Sequence, residues 1–323
     1  MRQILGRVKR ADFVGRTDEL ARISSHPSLS PSARGLLILL APAAGVSELL
    51  RQAYDELFNR REEIVPIHFA IHRSEATAVS IAIAFLNTFL LQYIAYRRDE
   101  PSLCQASLVM SDILKLAPPA DYEWIEELLD TYERGRFSAD DQALVRFCFS
   151  APQRVPRHNG RPYIMIDAVK LRGSANAERS LDSEILRTLG RSNQSFAFAG
   201  LRRQVLNAAH DAGISFGGLD TLRLEQLAEE DARRLVELAA RRQQVTLNQE
   251  SRDLLVQQFE CSPFLITALL RTARERNVSL TSFLVCEQLY VDELMGGHLH
   301  RHFESLLEDV APRQETRRAL IRL

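Results

Sequence analysis

Two short stretches carry the residue types that phosphate chemistry needs. Gly45 and Ser47 follow an apolar run, Leu36 to Leu40, and open a helical pattern with Leu49, Leu50, Ala53, Leu57 and Phe58. A glycine at such a junction lets the backbone turn sharply, and the N–H groups that begin a helix form a seat for an anion. A hydroxyl two residues further on can ligate a divalent cation. Asp167 closes a second apolar run, Tyr163 to Ile166. A carboxylate at the tip of a buried strand is placed to hold that same cation.

The first stretch has the frame of the phosphate-binding pattern G-x-x-x-x-G-K-[ST]. Its eight positions run from Leu40 to Ser47. The second glycine is Gly45 and the hydroxyl is Ser47. Leu40 stands at the first glycine and Val46 at the lysine. A leucine at position 40 is expected to disfavour a tight loop and to crowd the phosphate space. Val46 removes a charge-assisted bond of about 1.5–3 kcal/mol, which corresponds to roughly 10- to 150-fold in binding. Lysine occurs only at Lys9, Lys115 and Lys170, so none lies near the loop in sequence. The strand that ends in Asp167 is followed by Ala168 and by no carboxylate until Glu178, so the base that hydrolysis requires is missing from its expected place.

Upstream, Phe13-Val14-Gly15-Arg16 precedes Glu19-Leu20 by helical spacing, about twenty residues before the loop. With the loop and the Asp167 strand, this box resembles the N-terminal motif of the AAA+ class and its STAND branch of signalling ATPases. The resemblance implies an α/β P-loop NTPase (AAA+/STAND-like) fold: a parallel sheet sandwiched by helices, then an all-α lid and a partial winged-helix-like C-terminus. It implies boundaries at 1–222, 223–278 and 279–323. The strand Gln194 to Ala199 falls where such proteins carry sensor 1. Gly200-Leu201-Arg202-Arg203 resembles the turn that follows, with Arg202 and Arg203 either meeting a phosphate or solvated. Cys261-Ser262-Pro263 stands where relatives have Gly-x-Pro. If a nucleotide is held, the resemblance assigns it to Val14, Gly15, Arg16, Gly45, Val46, Ser47 and Glu48, with Mg²⁺ on Ser47 and Asp167. The missing groups imply no catalysis, or at most a weak ATPase activity, and no tightly held cofactor, with ATP or ADP and Mg²⁺ bound weakly at most. The chain is similar in this to the inactive STAND components of bacterial conflict systems, which implies a sensor, adaptor or scaffold for a protein partner or effector, with oligomerisation open. A residual ATP/ADP switch and a DNA-binding accessory role are the alternatives. A plain core strand feeding a helix is the reading without any site.

Composition narrows the classes further. In 323 residues, 46% are hydrophobic, 26% are charged and the net charge is −1, which gives no bulk attraction to nucleic acid or anionic membrane. Arginines such as Arg271, Arg276, Arg301 and Arg317 are scattered among acids instead of gathered on one helix. Ala76 to Tyr96 is apolar, but Asn87, Thr88, Gln92 and the ending Arg97-Arg98-Asp99 mark a core helix and not a membrane span. A cytoplasmic setting is the expectation. Cys104, Cys148, Cys261 and Cys286 form no C-x-x-C pair and read as free, buried or half-buried thiols. His68 and His72 lack companion ligands. Helices are expected over 47–58, 103–116, 122–134, 139–149, 181–189, 248–260, 263–275, 280–295 and 298–310, with an unfinished one over 313–323. A polar, basic loop is expected over 152–160.

Overall fold

The computed structural model describes residues 1–28, 35–71, 77–137, 140–169, 180–192, 194–214 and 218–310, and for 305, 306 and 308–310 only the backbone. His72, Lys170, Glu178 and the expected helix over 313–323 lie outside the described residues. The chain divides into two compact units. One comprises Met1–Arg10, Thr17–Leu40 and Val46–Leu224; the other comprises Ala11–Arg16, Ala41–Gly45 and Glu225–Leu323.

The first unit is built on five parallel strands: β1 (Gly35–Leu40), β2 (Ile64–Ala70), β3 (Arg161–Asp167), β4 (Ser195–Leu201) and β5 (Leu219–Leu224). Their order is β2-β3-β4-β1-β5, so β4 separates the glycine-loop strand from the Asp167 strand. Leu36 to Leu40 are buried throughout, because β1 is paired on both edges and covered on both faces. The edge strand β5 instead alternates, with Leu222 and Leu224 buried and Thr221 and Arg223 exposed. β2 forms the other edge and tolerates Pro66 there. Gln92 covers part of that edge: its Oε1 accepts from His68 N at 2.7 Å and its Nε2 donates to His68 O at 2.9 Å.

Helices α1 (Thr17–Ser25), α2 (Val46–Arg60), α3 (Ala78–Arg98), α4 (Met110–Leu116), α5 (Tyr122–Gly135), α6 (Asp141–Ser150), α7 (Leu181–Gly190) and α8 (Arg202–Asp211) complete this unit. Thr77 caps α3, accepting from Ser80 N at 3.1 Å, and left-handed Asp99 ends it. By length and composition α3 could cross a membrane, yet 61% of its most apolar window is buried inside the protein, as a core helix requires. Beside it, Asp121 is fully buried and gathers four donors: Tyr93 Oη at 2.7 Å, Trp124 Nε1 at 3.1 Å, Asn159 Nδ2 at 2.8 Å and Arg97 Nε at 2.9 Å.

Three local expectations are corrected. Leu103 to Leu116 is not one helix. A 3-10 turn, Pro101–Gln105, gives way to an extended link, and α4 starts only at Met110. Asn87 Nδ2 takes the Leu108 carbonyl at 2.8 Å, a group that a continuous helix would need for itself. Gly200-Leu201-Arg202-Arg203 is not a free turn, since β4 runs to Leu201 and α8 begins at Arg202 with no side-chain cap. The expected basic loop at 152–160 contains two 3-10 turns, Ala151–Arg154 and Arg157–Asn159, and the second carries Asn159 into the Asp121 cluster.

The second unit is helical: α9 (Glu229–Gln243), α10 (Gln249–Gln258), α11 (Pro263–Glu275), α12 (Phe283–Gly296) and α13 (His298–Val310). Val236, Leu255, Phe259, Ile266, Leu269, Leu280, Leu289 and Leu299 form its core. Ser262 caps α11 and Pro263 occupies its first turn, as a residue without an N–H can. The four cysteines are free thiols; Cys104, Cys148 and Cys286 are buried and Cys261 is half-buried. Burial pushes Cys104 up to about 11 and Cys148 up to about 12, which keeps both protonated and unreactive at neutral pH.

Candidate nucleotide site

The loop between β1 and α2 takes its turn at Ala43 and Gly45, with φ of 60° and 84°. Leu40, at the first glycine position of the pattern, remains strand. It is in register with Leu201 and Leu224 and is buried. The expectation that this leucine strains the loop is therefore corrected, because the left-handed burden falls on Ala43 three residues later. Gly45 has a separate reason to be glycine: a Cβ there would stand 3.0 Å from Pro263 Cγ.

Residues 41–45 are held by other parts of the second unit through their carbonyls. Gln226 Nε2 donates to Pro42 O at 2.8 Å and Ser262 Oγ to Ala43 O at 3.2 Å. Arg16 Nη2 lies 3.4 Å from Ala44 O and also donates to Glu225 O. The Val14-Gly15-Arg16 box is thus brought to the loop. Val14 is buried, and Gly15 and Arg16 both have positive φ. A Cβ on Gly15 would meet Asp231 Oδ2 at 2.8 Å. The loop's N–H side is different. Val46, Ser47 and Glu48 occupy the first turn of α2, where N–H groups have no intrahelical acceptor and the helix dipole is positive.

Ser47 and Asp167 meet. Ser47 Oγ donates to Asp167 Oδ2 at 2.5 Å, across 120 positions of sequence. Asp167 ends β3, is buried, and accepts Val169 N on its other oxygen at 3.3 Å. One hydroxyl beside one carboxylate suits Mg²⁺, which usually takes one or two protein oxygens and completes its shell with phosphate and water. The described residues hold no cluster of three or more metal-ligating side chains, so any metal here would depend on its anion.

The donor set for a triphosphate is less complete. Val46 is 4% exposed, its isopropyl group turned into the interior. Arg16 points at carbonyls. Of the two described lysines, Lys115 pairs with Asp112 at 2.7 Å and Lys9 is on the surface. Arg202 and Arg203 are both exposed in the first turn of α8. Glu48, expected at the nucleotide, is directed elsewhere and accepts Arg7 N at 2.9 Å and Val8 N at 3.0 Å. Ala168 is wholly buried and bonded into the sheet through Ala199 O at 2.8 Å.

Asp182 is the carboxylate that sequence spacing did not reveal. Gln204 Nε2 donates to its Oδ2 at 3.0 Å and lies 3.5 Å from Ala168 O, at the limit of a hydrogen bond. Its Oδ1 is buried without a partner among the described residues. The signal was faint: Ser180 followed by an acid in the first turn of α7 reads as ordinary capping.

Among solved structures the chain is similar to the Walker-type ATPase of Pyrococcus abyssi, with a TM-score of 0.60 at 15% identity, covering 95% of this chain and 79% of that one. It is also similar, at a TM-score of 0.44 and 11% identity, to a RuvB variant of Thermotoga maritima, covering 88% and 71%. No protein-family model matches the sequence, and no curated protein does. The likeness to the Pyrococcus protein, with the five-stranded parallel sheet, defines the fold as that of an α/β P-loop NTPase.

Proposed function

We propose that the chain is a STAND-like pseudo-ATPase, a P-loop protein that does not turn ATP over and that works in the cytoplasm as a sensor, adaptor or scaffold for a protein partner, of the kind found in bacterial defence. One observation carries this reading. Position 46 is a buried isopropyl group, and Arg16, the cation that reaches the loop among the described contacts, is directed at the carbonyls of Ala44 and Glu225. Loss of a group that stabilises transition-state charge commonly costs ~10²–10³ in rate. Alanine at 168 removes the base as well. The loop carbonyls are taken by Gln226, Ser262 and Arg16, an arrangement that needs no nucleotide to hold it.

The Ser47–Asp167 pair favours a second reading, a weak ADP or ATP switch in which Gly45, Ser47 and Asp167 hold Mg²⁺-nucleotide without hydrolysis. Calorimetric titration of the chain with Mg-ADP and Mg-ATP separates the two. The scaffold reading expects no saturable heat at high micromolar protein. Saturable heat that disappears in Ser47→Ala would establish the switch in its place.

A further inference from the structure

Helix α12 has two apolar faces. Cys286 and Leu289 lie on the inner one, buried in the core of the helical unit. The outer one carries Leu284, Val291 and Met295, which are 72%, 47% and 78% exposed. With Gln288, also exposed, they recur at spacings of four, three and four. That is the period of a coiled-coil seam, with Leu284 and Val291 at d and Gln288 and Met295 at a. A helix that packs on one core needs one apolar stripe, so the second is a surface built for contact.

The flanks of the seam are acidic. Glu287 falls at g and Asp292 at e, one on each side of the stripe, and α12 itself carries no lysine, arginine or histidine. Glu287 is exposed and pairs with no cation among the described residues. Arg276 pairs with Asp292 at 2.6 Å and partly neutralises that side. These charges select the occupant. A second copy of α12 would set acid against acid, because parallel pairing brings g opposite e and antiparallel pairing brings g opposite g and e opposite e. An anionic lipid surface is repelled in the same way. A helix with an apolar seam and lysine or arginine at e and g meets the stripe with opposite charges along both sides.

We propose that the outer face of α12 is the docking site for a basic amphipathic helix of a partner protein, paired along the seam as a short coiled coil. The proposal rests on the reading of the chain as a partner-binding scaffold and names the kind of partner. Nucleotide titration tests the ATPase half of that reading separately, because pairing at α12 needs no nucleotide.

The probe is a fluorescein-labelled designed helix of about three heptads, with leucine at a and d and lysine at e and g, followed by anisotropy against the full chain. A counterpart carries glutamate at e and g. Like charges at those positions keep each peptide from pairing with itself. The lysine peptide should bind saturably, and the glutamate peptide roughly ten-fold or more weakly. Val291→Glu puts a charge in the middle of the seam at an exposed position, so it should cost the lysine peptide roughly ten-fold or more while thermal unfolding is unchanged. Glu287→Lys keeps the seam and should shift the preference toward the glutamate peptide, which serves if Val291→Glu does not fold. No saturable binding of the lysine peptide overturns the proposal, whether the chain covers the face itself or nothing does. Equal binding of the two peptides, undiminished binding by a folded Val291→Glu chain, or an unshifted preference in Glu287→Lys overturns it too. So does sedimentation of the native chain as a dimer that Val291→Glu returns to a monomer, since the face would then belong to a second copy.

Discussion

A lysine placed at position 46 should give the loop the charge it lacks. Val46 is the first residue of α2 and is 4% exposed. The longer stem must displace interior neighbours, at a cost of about 1–3 kcal/mol in stability. Against that, an ammonium at this position would form charge-assisted bonds to phosphate of about 1.5–3 kcal/mol, so Mg-ATP should bind roughly 10- to 150-fold more tightly. Restoring glycine at position 40 in the same chain is not advised by the structure. Leu40 lies inside β1 between Leu201 and Leu224, and deleting a buried leucine costs about 2–5 kcal/mol without altering a turn made at Ala43 and Gly45. The assay is calorimetric titration of Val46→Lys beside the native chain, with thermal unfolding to show that both are folded. A folded Val46→Lys protein that holds Mg-ATP no better than the native chain would refute the equation of position 46 with the P-loop lysine, and with it the placement of the site.

Two further outcomes follow from groups outside the loop. Asp121→Ala leaves the Arg97, Tyr93, Trp124 and Asn159 donors without their acceptor, so stability should fall by about 3–5 kcal/mol; Trp124, the single tryptophan, reports the urea midpoint, and an unchanged midpoint would mean that the cluster does not form. His26 is buried, and that burial lowers its pKa, with Asp220 at 3.8 Å pulling it up and Arg22 pushing it down. The unfolded chain takes up a proton as pH falls through about 6.5, while the folded chain resists until its lower pKa. Stability that is complete above that pH should decline below it, and His26→Gln should flatten the decline; a profile identical in the two chains contradicts the assignment.

Much of this architecture is legible in the sequence, and the rest is hidden for physical reasons. The run Leu36–Leu40 followed by Gly45 and Ser47 announced a central strand, a turn and a helix start, since each of those signals is local. Asp167 was legible as a strand tip because it closes the apolar run Tyr163 to Ile166. Other features depend on groups far away in sequence. Leu40 looked like a damaged glycine position, but strand pairing with Leu201 and Leu224 makes leucine the fitting residue there. Glu48 looked like part of a nucleotide seat until its partners proved to be Arg7 and Val8. Asp182 depends on Gln204, twenty-two positions on, a relation that no periodicity encodes. The link before α4 was hidden because Leu103 to Leu116 has a helical composition, while the bond that breaks it comes from Asn87.

The proposal that the chain does not turn ATP over is tested most directly by a single-turnover experiment, with the native chain in excess over γ-labelled Mg-ATP and phosphate release followed for hours. The account predicts release no faster than in buffer alone, in the native chain and in Asp167→Asn alike. Phosphate release by the native chain that is abolished in Asp167→Asn would contradict it.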